Sequence, residues 1–136
     1  MTIRSAFAFA RRSAVLAGLL VAVIATTAAS TGTFRHTRLL RSLPAADSVI
    51  TASPATIQLW FNEKIELGLS RVRVVDATGK SVSVTPPTQD ATKADAPVVG
   101  RVPAPLADGK YTVNWTAASG DGHAVKGTFS FTFKSR

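Results

Sequence analysis

The chain has 136 residues, 46% of them hydrophobic, and carries sixteen Lys and Arg against eight Asp and Glu, a formal charge of +8. That length suits one core-forming domain and not two. Without a cysteine there is no disulfide, no thiolate zinc site and no iron–sulfur cluster, and with Met1 as the sole methionine any metal must be held by nitrogen and oxygen.

Residues 1–32 have the layout of an export signal. Arg4, Arg11 and Arg12 form a basic leading region, an apolar run follows from Ala14 to about Ala25, and small residues crowd Thr26 to Gly32. The apolar run is shorter than the roughly 20 residues of a membrane span, so a cleaved signal is expected, with the cut between 28 and 35. The pair Arg11-Arg12 is compatible with twin-arginine export as well as with the general route. Removal of the three arginines leaves thirteen basic and eight acidic residues, +5. The basic residues are scattered, with Arg35, Arg38 and Arg41 as one small cluster. A nucleic-acid surface needs a basic stripe interleaved with stacking aromatics, and none is present. Anionic lipid heads or an acidic partner remain compatible with the charge.

The rest of the chain alternates with period two, as strands with one dry and one wet face do. Ile57, Leu59 and Phe61 alternate with Gln58, Trp60 and Asn62. Val72 and Val74 alternate with Arg71 and Arg73, Tyr111, Val113 and Trp115 with Thr112, Asn114 and Thr116, and Phe129, Phe131 and Phe133 with Thr128, Ser130 and Thr132. Pro44, Pro54, Gly79, Pro86-Pro87, Pro103, Pro105, Gly109 and Gly120 to Gly122 punctuate these runs. Ala107 to Lys110 reads as a tight turn, Thr85 to Pro97 as a polar, mobile loop, and Lys64 to Leu69 as at most a turn of helix. About seven short strands in about 100 residues predict an all-β, immunoglobulin-like Greek-key sandwich over 36–136. Trp60 and Trp115 read as sandwich residues, and Glu63 and Glu66 as solvated charges around Lys64.

Chemistry concentrates in the connection Ser119-Gly120-Asp121-Gly122-His123. With Gly122 between them, the Asp121 carboxylate and the His123 imidazole can converge on one point, a pair suited to Cu(II), Zn(II) or Ni(II). Spacing alone favours the plainer reading, in which Asp121-Gly122 makes a turn and His123 is an incidental loop residue. His36, the other histidine, precedes Thr37-Arg38-Leu39. It reads either as a ligand or as a polar residue opening an edge strand. Nothing around Ser119 resembles a nucleophile elbow.

Four strings carry a family resemblance: His36-x-x-Leu39-x-x-Ser42-x-Pro44-Ala45; Pro54-Ala55-x-Ile57-x-Leu59-x-Phe61; Gly109-x-Tyr111-x-Val113-x-Trp115-x-x-x-Ser119-x-Asp121-Gly122-His123; and Gly127-x-x-x-Phe131. In this order they resemble CopC-like copper-resistance domains over about Arg35 to Lys134. The resemblance implies a small Greek-key sandwich in the periplasm or extracytoplasmic envelope. It implies a Cu(II) site of His36, Asp121 and His123, joined in some members by the terminal amine. It also implies a monomeric, non-enzymatic carrier or buffer in copper homeostasis that either sequesters copper or hands it to a CopD-like membrane protein. The methionine Cu(I) site of the family has no residues to form it here, so a Cu(II)-only member is expected.

The sequence departs from the family at the cut. Thr33-Phe34-Arg35 precede His36, whereas signal peptidase prefers small residues, as after Ala28, Ala29, Ser30 or Gly32. Those cuts keep the terminal amine out of a chelate with His36. A trim leaving Phe34-Arg35-His36 would create a different amine–imidazole chelate. Two alternatives follow: a sandwich that serves as a copper-independent interaction module, and a copper-dependent oxidative enzyme.

Overall fold

The computed structural model describes residues 36–136, and the expected export signal lies outside them. Eight strands form two sheets: β1 (Leu39–Leu43), β2 (Val49–Ile50), β3 (Thr56–Phe61), β4 (Arg71–Asp76), β5 (Ser81–Val82), β6 (Val98–Arg101), β7 (Gly109–Ala118) and β8 (Ala124–Phe133). One sheet has the order β1-β3-β6 and the other β2-β8-β7-β4-β5. The helical content of the described residues is one 3-10 turn at Leu67–Leu69, within the stretch where the sequence allowed a turn. No helix among the described residues is long and apolar enough to cross a membrane. The all-β sandwich expected from the alternation is the fold observed.

The core is what the dry faces contribute. Ile57 and Leu59 come from β3, Val74 from β4, Val98 from β6, Val113 and Trp115 from β7, and Phe131 and Phe133 from β8, and all are buried. Phe131 is 1% exposed, and burying such a side chain stabilises by about 1.5–3 kcal/mol. Tyr111 stacks on Phe131 with ring centroids 5.6 Å apart, while its hydroxyl donates to the Ala107 carbonyl at 2.7 Å and so closes the turn before β7. Trp115 packs edge-on against Phe61 at 5.2 Å. Trp60 faces outward instead, half-buried, with the Arg41 guanidinium 3.9 Å above its ring.

The frame of the molecule is the β7–β8 hairpin, paired without a break from Gly109↔Phe133 to Ala118↔Ala124. An unbroken antiparallel ladder of ten pairs holds its tip at a fixed place at one end of the sandwich. The Thr85 to Pro97 segment, expected to be mobile, is tied to β6. Thr88 and Val99 exchange two backbone hydrogen bonds of 2.9 and 2.8 Å, and Gln89 Nε2 donates to the Ala96 carbonyl at 2.7 Å.

Candidate metal centre

The tip of the hairpin is a hydrogen-bonded turn. The Gly122 N–H donates to the Ser119 carbonyl at 2.9 Å, and Gly122 has φ +82°, a left-handed conformation that costs an L residue about 1–2 kcal/mol. That glycine lets the chain reverse between Asp121 and His123 and brings their side chains to the same side. Asp121 Oδ2 lies 3.0 Å from His123 Nδ1. Asp121 Oδ1 accepts from the Ser119 hydroxyl at 2.6 Å and from the His123 backbone N–H at 3.0 Å.

These donors hold the Asp121 carboxyl well below its ordinary range, at about 2, with the Ser119 hydroxyl contributing most. Donors that bind the ionised form favour it. An ionised carboxylate only accepts, so it is the imidazole that carries the proton at Nδ1, leaving the Nε2 lone pair free in the neutral ring. The His123 side chain is 81% exposed and that of Asp121 46%, so both donors face water and an arriving ion.

The donor types and their spacing fit a divalent first-row ion. Bonds of about 2.0 Å place neighbouring ligands of a square about 2.8 Å apart, and Oδ2 and Nδ1 stand at 3.0 Å. An ion would take the place of the shared proton, which moves to Nε2 as the ring changes tautomer. A tetragonal set of nitrogen and oxygen suits Cu(II).

His36 is exposed and is not gathered into this pair. No three His, Cys, Asp or Glu side chains among the described residues form a metal-ligating cluster. The His36 segment is nonetheless anchored at the same end of the sandwich. Asn62 Nδ2 donates to the His36 carbonyl at 3.2 Å, Asn62 Oδ1 accepts from the Arg38 N–H at 2.7 Å, and the buried Thr37 hydroxyl donates to Glu63 Oε1 at 2.6 Å. The connector that begins at Asn62 then reaches the tip. Ile65 bridges to Ser119, the Glu66 N–H donates to the Ala118 carbonyl at 2.8 Å, and the Ser70 hydroxyl accepts from the Ala118 N–H at 3.1 Å. Asn62, Glu63 and Ser70 were not legible as supports of the site. Glu63 reads as a solvated charge in the sequence, but here it is half-buried and accepts from Thr37. Ser119 had a signal: a hydroxyl two residues before an Asx turn commonly bonds locally.

Fold and tip together define a small, cysteine-free β-sandwich that presents a rigid imidazole–carboxylate pair at one end. Comparison with known proteins gives this class its family. The CopC domain model matches residues 39–134. The chain is 35% identical over 126 residues to copper resistance protein C of Escherichia coli, covering 89% of this chain and 95% of that one. The crystal structure of CopC from Methylosinus trichosporium OB3b superposes with a TM-score of 0.67 at 31% identity, over 74% of this chain and 96% of that one. PcoC, a methionine-rich copper resistance protein from Escherichia coli, gives 0.64 at 31% identity, over 73% and 99%. The chain belongs to the CopC family of copper-resistance proteins.

Proposed function

We propose that this protein is an exported Cu(II) carrier or buffer of the periplasm or cell envelope. Copper is its cargo, held by His123 and Asp121 with His36 as a third ligand. The observation that carries the reading is the 3.0 Å approach of Asp121 Oδ2 and His123 Nδ1 on an open hairpin tip. An exposed site of few ligands exchanges its ion readily, which suits transfer to a partner such as a CopD-like membrane protein better than permanent storage. The oxidation state follows from donor chemistry. Thioether ligands select Cu(I), and past Met1 this chain has none.

The test is a Cu(II) titration of the exported chain, with its intact mass measured to fix the mature N-terminus. Expected is one Cu(II) per chain and no comparable Cu(I) uptake. A chain that binds no Cu(II) would instead be the copper-independent interaction module. That second reading is favoured by the separation of His36 from the pair. Sustained oxygen consumption by the copper-loaded chain with a reductant, above that of free copper, would make it an oxidative enzyme.

A further inference from the structure

The outer face of the five-stranded sheet has no part in the copper reading, and its composition is uneven. Register sets Lys126, Thr116 and Arg71 in one row across β8, β7 and β4, and Thr128, Asn114 and Arg73 in the next. Ser130, Thr112, Val75 and Ser81 form a third row, and Val49, Thr132 and Lys110 a fourth. The residues between them, such as Tyr111, Val113 and Phe131, point into the core. The face therefore carries four exposed cations, Arg71, Arg73, Lys110 and Lys126, set mostly among hydroxyls with Val75 and the edge residue Val49, and no carboxylate on any of the four rows.

None of the four is neutralised. The ion pairs among the described residues are Lys93–Asp90 and His123–Asp121. Residues 1–35 contain no Asp or Glu, so that segment has no side-chain carboxylate to offer the face. Arg73 Nε and Nη2 donate to the Ser81 hydroxyl at 3.1 and 2.8 Å, which lays the guanidinium along the sheet without removing its charge. Asp47 borders the face at the β8 edge, where its backbone N–H donates to the Ser130 carbonyl.

The cations are spread and do not converge. Two strand spacings separate Lys126 from Arg71, about 10 Å, and six positions along the ladder separate Lys110 from Lys126, about 20 Å. A single small anion cannot engage such a set. No aromatic side chain stands on the rows to stack a base, as single-stranded nucleic acid requires. A protein partner is also a poor match, because protein interfaces are centred on aromatic, Met or Arg anchors in an apolar patch and are depleted in Lys and Ser. What matches a broad, polar, aromatic-free array of cations is an extended layer of negative charge.

We propose that this face docks on the anionic phospholipid headgroups of a membrane surface. Docked in this way, the sheet lies along the bilayer, with the β7–β8 tip at the edge of the contact rather than beneath it.

The experiment is co-sedimentation of the exported chain with large unilamellar vesicles at low ionic strength, comparing phosphatidylglycerol/phosphatidylcholine with phosphatidylcholine alone. Each Lys or Arg near an anionic surface contributes about fivefold to partitioning, so R71S/K126S is expected to bind anionic vesicles about 25-fold more weakly. K93S/R101S removes the same charge from the opposite side of the sandwich and is expected to change binding less than about threefold. All four side chains are exposed, and a thermal melt checks that both variants fold. High salt is expected to abolish the preference for anionic vesicles, and inorganic phosphate at matched ionic strength to compete no better than chloride. The proposal is overturned if both double variants lose binding equally, if neutral vesicles bind as well as anionic ones, if phosphate displaces the protein specifically, or if poly-glutamate binds more tightly than the vesicles.

Discussion

The Asp121 carboxylate receives three hydrogen bonds within five residues of chain, from the Ser119 hydroxyl, the His123 N–H and the His123 ring. Its folded pKa of about 2 lies below the ordinary 3.8. The sign follows from that order. Ionised Asp121 favours the folded tip above about pH 3.8, and that contribution is lost as pH falls from there through about 2. A carboxyl-carbon NMR titration of the metal-free protein is expected to show a midpoint near 2 for Asp121, rising toward 3.8 in Ser119→Ala. A midpoint near 3.8 in the unaltered protein would mean that the Ser119 and His123 bonds do not form in solution. The residue types of this loop were legible in the sequence; the bonding was not. Spacing favours a turn with an incidental histidine over a ligand pair in Asp121-Gly122-His123, and the structure shows that turn bringing the carboxylate and the imidazole within 3.0 Å of each other. Gly122 makes the turn, and the turn makes the pair.

Among the elements, β3, β4, β7 and β8 could be read because each has a dry face of large apolar residues with period two, which β1 and β6 do not display. β2 and β5 could not be read. Two residues carry no period, and both exist because a neighbour offers them an edge: β8 pairs β2 at Val49↔Thr132, and β4 pairs β5 at Val75↔Ser81. The ends of β7 and β8 also ran past the expected strands, to Ala118 and Ala124, because small side chains give no alternation to follow. Gly127 shows what the hairpin demands of its sequence. It lies opposite Trp115, and a Cβ there would clash with the indole at Cζ2 and, at 2.5 Å, with Cε2. Gly127→Ala must therefore push Trp115 off Phe61 or bend the ladder. The expected cost is about 1–3 kcal/mol, as for overpacking elsewhere, with a melting temperature lower by about 4–8 °C per kcal/mol and a changed tryptophan fluorescence. An unchanged melt and spectrum would show that the indole is not seated as described.

At the scale of the whole molecule, the two sheets bring the leading segment and the hairpin tip to one end, through a connector whose Asn62 and Glu63 hold residues 36–38 and whose Ile65 and Glu66 hold Ala118 and Ser119. None of that was legible in the sequence, because it depends on backbone bonds between segments far apart in the chain. The candidate donors were legible, since a chain with two histidines, no cysteine and one leading methionine leaves few side chains for a metal. The arrangement explains why the three expected ligands divide into a formed pair and a neighbour. Asp121 and His123 share one rigid turn, whereas His36 is tied by its carbonyl and its ring has no hydrogen-bond partner among the described residues. In the proposed site the tip pair holds the copper and His36 completes the ligand set. The most direct test is electron paramagnetic resonance with nitrogen modulation on the exported chain at one Cu(II) per protein, in the unaltered form, His36→Ala and His123→Ala. Expected is a tetragonal Cu(II) signal with two imidazoles in the unaltered protein, one imidazole and weaker binding in His36→Ala, and loss of the bound signal to competing chelator in His123→Ala. A His123→Ala protein with the same spectrum and affinity as the unaltered one would place the copper elsewhere and contradict this site.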